Sequence, residues 1–230
     1  MEIRAVTDIS NRKNNQDNYW YAKFSINGKE LGIACVCDGM GGLEDGEKAS
    51  RQVISDIRDF FLEGGDLSDV GGVLENSNLK IKETSEKKSG TTCVIVVCCE
   101  GKFEVVNVGD SRCYHARKVG TEDVIVMQIT EDHTAINKFK KEGRKITEDI
   151  KKKYLNVLSR CVGASKKVVF DRFDGRYFDG DIFIVCSDGF WHTLTLDDFR
   201  SGRILDLNGM VEKCKRLGES DNITVCMIQL

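Results

Sequence analysis

The chain has 230 residues, 40% of them hydrophobic and 31% charged, with a formal net charge of -3. That length suits one large domain or at most two small ones, and the charge balance argues against a nucleic-acid-binding surface. No basic region followed by an apolar stretch opens the chain, and its longest apolar run, Cys93 to Cys99, is too short to cross a bilayer, so neither a signal peptide nor a membrane contact is expected.

In chain order, alternating or short apolar segments predict strands at residues 3–7, 19–26, 31–37, 92–99, 103–108, 113–116, 124–129, 168–173, 181–186 and 223–228. Turns are expected at Asn27-Gly28-Lys29 and Glu100-Gly101-Lys102. Helices are predicted at 44–63, stopped by Gly64-Gly65, then at 68–87, and late at about 204–216. Residues 131–160 are polar and weakly periodic and read as a short helical excursion over the core. Helices do not alternate with strands, which disfavours a doubly wound parallel sheet. Antiparallel sheets with helices on their outer faces fit better, an α+β class.

Ten cysteines are present, most of them inside strand-like runs, where they act as small buried hydrophobes of a reduced, cytoplasmic protein. Cys35 and Cys37 alternate along one strand with no second pair and no histidine partner, so zinc is not expected there. None of the ten has an arginine six positions on, which disfavours a covalent thiophosphate mechanism.

Aspartates fall at strand ends: Asp17, Asp38, Asp110, Asp188 and Asp221, three of them beside glycine. Any one alone is ordinary turn chemistry. Five that converge on one edge would repel unless cations neutralised them, and hard divalent ions such as Mg2+ or Mn2+ suit oxygen ligands.

The order of motifs resembles the metal-dependent Ser/Thr protein phosphatases of the protein phosphatase 2C (PPM) family, short bacterial type. The resemblance rests on Arg12-Lys-Asn-Asn-Gln-Asp17, Asp38-Gly-Met-Gly-Gly42, Ser89-Gly-Thr-Thr92, Val108-Gly-Asp-Ser-Arg112, Thr130-Glu-Asp-His-Thr134, Leu158-Ser-Arg-Cys-Val-Gly163, Ser187-Asp-Gly189 and Asp221-Asn-Ile-Thr-Val225. It implies a four-layer α-β-β-α sandwich, one catalytic domain over 1–230 with a flap at about 134–156. It also implies two or three Mn2+ or Mg2+ ions. Asp38 would bridge two ions, with the Gly39 carbonyl on one and Asp188 and Asp221 on the other. Asp110, with Asp188, would hold a third. Arg12 would grip the substrate phosphate and Asp17 would act from behind the ligands. The implied reaction is direct attack of a metal-bridging hydroxide on phosphoserine or phosphothreonine in proteins, opposing a Ser/Thr kinase, by a monomer. A phosphoprotein-binding relative without turnover and a small-molecule phosphomonoesterase are the alternatives. Two positions depart from the family pattern: Met40 stands where some members have a histidine proposed as general acid, and Gln16 where an acidic residue often precedes Asp17. His133 is expected to be a hydrogen-bonded structural histidine, Ser89-Gly-Thr-Thr92 to be structural, and Trp191 to be core or rim packing.

Overall fold

The computed structural model describes the chain except residues 27, 42–44, 86–87, 120–122, 165 and 201–202. The turn residue Asn27, Gly42, Glu44 at the start of the first predicted helix and Lys87 at the end of the second therefore lie outside the described residues. The elements are β1 (Glu2–Asp8), β2 (Asp17–Ile26), β3 (Lys29–Met40), α1 (Asp45–Leu62), α2 (Val70–Thr84), β4 (Gly90–Thr91), β5 (Cys93–Cys99), β6 (Lys102–Val108) and β7 (Arg112–Val119). They continue as β8 (Asp123–Gln128), α3 (Ala135–Lys141), α4 (Glu148–Tyr154), β9 (Asp171–Arg176), β10 (Ile182–Cys186), α5 (Asp188–Trp191), α6 (Leu196–Arg200), α7 (Leu207–Arg216) and β11 (Ile223–Gln229). One sheet runs β1-β11-β10-β7-β8; the other runs β2-β3-β5-β6-β9, with β4 added beside β3. Every strand pairing is antiparallel among the described residues.

Why the central strands read as continuous apolar runs is now plain: they are buried on both faces. On β3, Ile33, Cys35 and Cys37 face a core shared with α1 and α2, while Ala34 and Val36 face the layer between the sheets. On β10, Ile184 and Cys186 face a third core under α5, α6 and α7, while Phe183 and Val185 enter the same middle layer. Three cores separate four layers, helix, sheet, sheet, helix, as expected for an α+β sandwich.

Local chemistry sets the ends. Glu100 and Gly101 both take positive φ (48° and 74°) in the β5–β6 turn, the pattern of a two-residue hairpin whose twist matches its strands. The 68–87 helix starts as a 3-10 turn (Leu67–Asp69) capped by the Asp66 carboxylate, which accepts from Ser68 N at 2.8 Å. The strand predicted at 168–173 instead runs Asp171–Arg176, held in register by β6. Val168 and Phe170 are apolar because they pack on the α1–α2 core, not because they pair in a sheet. The excursion at 131–160 is a helix pair, α3 and α4, capped by Thr134 and Thr147 and joined by a Phe139–Tyr154 ring contact of 5.2 Å. Its stem is closed by a Thr134–Leu158 bridge.

Across the middle layer lies a polar cluster with no part in the cleft. Asp181, 2% exposed, accepts from His115 Nε2 at 2.8 Å, Arg117 Nε at 2.8 Å and Nη2 at 2.7 Å, and Phe178 N at 2.9 Å. Burial pushes its carboxyl pKa up, but the bonds from Arg117, Phe178 N and His115 together outweigh that and hold it below the usual value. A carboxylate depressed on folding stabilises the protein above its unfolded pKa of about 3.9 and loses that contribution as pH falls through the folded value. Asp181→Asn should therefore lower stability at pH 7 by about 2 kcal/mol. It should also flatten the loss of stability below about pH 4, as read from urea melts across pH; an acid limb as steep as the wild type's would show that Asp181 is not its source.

Candidate active site

The strand ends gather Arg12, Asp38, Gly39, Asp110, Asp188 and Asp221 around one open cleft of about 240 Å³. Asp38 and Gly39 are delivered by the last turn of β3, Asp188 opens α5 directly after β10, Asp221 precedes β11, and Asp110 lies between β6 and β7. Asp17 does not line the cleft. It begins β2 opposite Asp38, 6% exposed, with its Oδ2 accepting from Ser187 Oγ at 2.7 Å.

Electrostatics make this arrangement costly as it stands. Burial, then Asp17, Asp188, Asp110 and Asp221, push the Asp38 carboxyl well up. Burial pushes Asp17 up to about 7 against the Ser187 bond. Burial and Asp188 push Asp110 up to about 7, and burial and Asp221 raise Asp188. Arg12 is the only cationic side chain among the described residues of the cleft wall, and it is half-exposed, bonded through Nη2 to Asp221 Oδ2 at 2.7 Å. Asp188 Oδ1 is buried and has no hydrogen-bond partner. A buried carboxylate oxygen without a donor, among like charges, fits a divalent cation with hard oxygen ligands. Among the described residues no three of these carboxylates bring oxygens within 4.8 Å of one another, and Asp221 is drawn toward Arg12.

Gly39 is needed for contact rather than for φ. A Cβ there would stand 2.1 Å from the Gly46 carbonyl oxygen at the start of α1 and 2.8 Å from that of Gln16, so the backbone is packed on two sides. Thr91 and Thr92 explain the Ser89-Gly-Thr-Thr92 motif. Thr91 Oγ1 and Thr92 N both donate to Asp38 O at 2.9 Å, and Asp38 N donates to Thr92 Oγ1 at 2.9 Å. The motif is structural, as expected, and what it supports is Asp38.

Other positions carry more than the sequence suggested. Trp191 is not mere packing: its Nε1 donates to the Asp110 carbonyl at 3.1 Å, and the Arg112 guanidinium lies 3.3 Å from its ring centroid. His133 clasps Gly109, accepting from its N at Nδ1 (3.0 Å) and donating from its own N to its carbonyl (2.9 Å). Accepting at Nδ1 makes Nε2 the protonated nitrogen, which faces Asp171 Oδ2 at 3.0 Å. Asn222, quoted in a motif but given no role, lies at the centre of the Arg12 loop. Its Nδ2 donates to Ile9 O (3.0 Å) and Asn14 O (3.1 Å), and its Oδ1 accepts from Gln16 N (2.8 Å). The signal available in sequence was an amide beside Asp221, the residue type that captures loop backbone through its own side chain. The fold also adds a thiol to the Cys35–Cys37 pair: Cys93, from the neighbouring strand, joins them.

Residues 10–150 match the Protein phosphatase 2C family. Over 216 residues the chain is 27% identical to "Serine/threonine phosphatase stp" of Listeria monocytogenes serotype 4b, covering 86% of this chain and 84% of that one. The solved serine/threonine phosphatase of S. agalactiae superposes with a TM-score of 0.80 at 27% identity, covering 100% of this chain and 99% of that one. The catalytic domain of the serine threonine protein phosphatase PstP, solved in complex with 2 manganese ions, has the same fold (TM-score 0.76, 22% identity, 98% and 96% covered). Fold and cleft thus define a metal-dependent phosphatase class. The chain belongs to the Protein phosphatase 2C family.

If Asn222 acts by holding the Arg12 loop, Asn222→Ala should raise KM for a phosphothreonine peptide about tenfold, a coupling of about 1.4 kcal/mol. In an Arg12→Ala background the same change should move KM less than about twofold. An undiminished effect in that background would assign Asn222 to the Asp221 side of the cleft instead.

Proposed function

We propose that this chain is a metal-dependent protein serine/threonine phosphatase whose working centre is the cleft lined by Asp38, Asp110, Asp188 and Asp221, with Asp17 behind it. The observation that carries the reading is the meeting of four half-buried carboxylates, an orphaned Asp188 oxygen and one guanidinium in a single open cleft. Asp38, the Gly39 carbonyl, Asp188 and Asp221 would hold two ions, and Asp110 with Asp188 a third. Oxygen-only donors favour Mn2+ or Mg2+. When bound, such ions activate water for in-line attack and neutralise charge on the phosphoryl oxygens.

The protein's own groups divide the remaining work. Arg12, half-exposed and held beside the cleft by its bond to Asp221, would offer a planar fork to two phosphate oxygens. Asp17 stays behind Asp38, tied to Ser187, and steadies the ligands without touching substrate. Met40 lines the cleft at the position of a proposed family proton donor and has no proton to give. The leaving alkoxide must take its proton from solvent or another group. Residues 134–156 act as the flap, because the stem of the helix pair brings Asn156 and Leu158 to the cleft wall.

Phosphorylated proteins are the substrates, among them a Ser/Thr kinase of the same cell and that kinase's targets. The ten cysteines, none of them in a disulfide and nine of them buried, suit a reducing cytoplasm. No helix among the described residues is long and apolar enough to cross a membrane. A binding-only role is disfavoured because Asp38, Asp188 and Asp221 are all kept. A small-molecule phosphomonoesterase would be exposed by faster turnover of sugar phosphates than of phosphopeptide.

Wild-type protein should hydrolyse a phosphothreonine peptide only with Mn2+ or Mg2+ present. Asp38→Asn should lose more than the ~100-fold that removing an outer partner of a ligand brings. Absence of metal-dependent turnover in the wild type refutes the enzyme reading, whereas equal rates in the two proteins refute only the role of Asp38. Shortening 134–156 should change peptide turnover more than turnover of a small aryl phosphate; equal changes would remove the flap from substrate choice.

A further inference from the structure

Beneath the strand end that launches Asp38 lies a group of thiols that the phosphatase reaction does not use. Cys35 and Cys37 alternate on β3 and so share a face, and β5 pairs with β3 through Val36 and Val94, which brings Cys93 opposite Cys37. The three Sγ atoms lie within 4.8 Å of one another, and all three residues are 0% exposed. Among the described residues this is the only group of three or more histidine, cysteine or carboxylate ligands so close together. All three cysteines belong to the α1–α2 core, whose other members, Ala49, Val53 and Ile57 among them, are apolar.

We propose that Cys35, Cys37 and Cys93 form a binding site for a trivalent, three-coordinate thiophile, of which arsenous acid is the simplest. Three soft sulfur donors select a soft centre. Charge then decides among soft centres. Three thiolates leave a net charge of about -2 around a monovalent ion and about -1 around a divalent one, in a core whose described members include no cation, where each uncompensated charge is costly. Around a trivalent centre the complex is neutral. The exchange balances without redox change: As(OH)3 + 3 RSH gives As(SR)3 + 3 H2O, three As–O and three S–H bonds being replaced by three As–S bonds and water. Because the thiols are wholly buried, uptake waits on transient opening of the core and is slow.

Capture would reach the cleft through two peptide bonds. Cys37 precedes Asp38 and Cys93 follows Thr92, and Asp38 and Thr92 exchange two hydrogen bonds of 2.9 Å. Drawing the sulfurs together pulls both strands where Asp38 is held, so phosphatase activity should fall; this consequence, unlike binding itself, rests on the function proposed above.

Native mass spectrometry of the folded protein with arsenite should show one arsenic per chain with three waters lost. The thermal midpoint should rise with arsenite concentration, as for a ligand of the native state. Cys93→Val, which keeps the core apolar, should abolish both effects, and Cys35→Ala should do so independently. Cys98→Ala, at a buried cysteine outside the group, should retain them. The proposal is overturned if native protein takes up no arsenic, if arsenite lowers the thermal midpoint, or if the adduct survives in both cluster variants. These readouts need no turnover, so their failure is distinct from failure of the phosphatase reading.

Discussion

Mutual repulsion among crowded carboxylates, Asp17 buried and the others half-buried, is the constraint around which this end of the molecule is organised. Asp17, Asp38, Asp110 and Asp188 all have pKa values above the usual carboxylate range, first because burial penalises their charge and then because each faces the others. Such a cluster persists only where a surrounding structure holds it. Here the support is the sandwich itself: two sheets whose strands are packed on both faces, so that their ends cannot drift apart without opening a core. The carboxylates are stored strain that a bound cation would relieve.

Rigid support reaches each aspartate by a different route. Asp38 is gripped through its backbone by Thr91 and Thr92. The loop of Asp110 is held by His133 on one side and Trp191 on the other. Glu219, 7% exposed, accepts from the backbone of Ser220 (2.8 Å) and Asp221 (2.9 Å) and fixes the approach to β11. Asn222 then carries that order across to the Arg12 loop. Backbone amides and carbonyls do most of this work at Asp38 and Asp110, whereas both Asp221 oxygens are engaged, one by Asn222 N and one by Arg12.

Much of this was legible in the chain. Short apolar runs such as Ile182–Cys186 announced strands, and aspartates at strand ends announced a meeting of carboxylates. Legibility failed where a residue's role depends on a partner distant in sequence. Asn222 reads as half of an ordinary Asp-Asn pair until the loop some two hundred positions earlier folds onto its amide. Trp191 reads as packing until Asp110 presents its carbonyl. The strand at 168–173 was misplaced because burial against a helix and burial within a sheet leave the same apolar mark.

By itself the sequence determined the α+β class, the identity and order of the acidic motifs and the presence of Arg12, because periodicity and residue chemistry are local properties; that Met40 stands where some relatives have a histidine came from the family resemblance. Tertiary structure alone decided that the five aspartates meet, that Arg12 pairs with Asp221 across the cleft, and that Cys93 completes a trio of thiols with Cys35 and Cys37. Those relations are set by strand register and sheet stacking, which bring together residues that no local pattern connects.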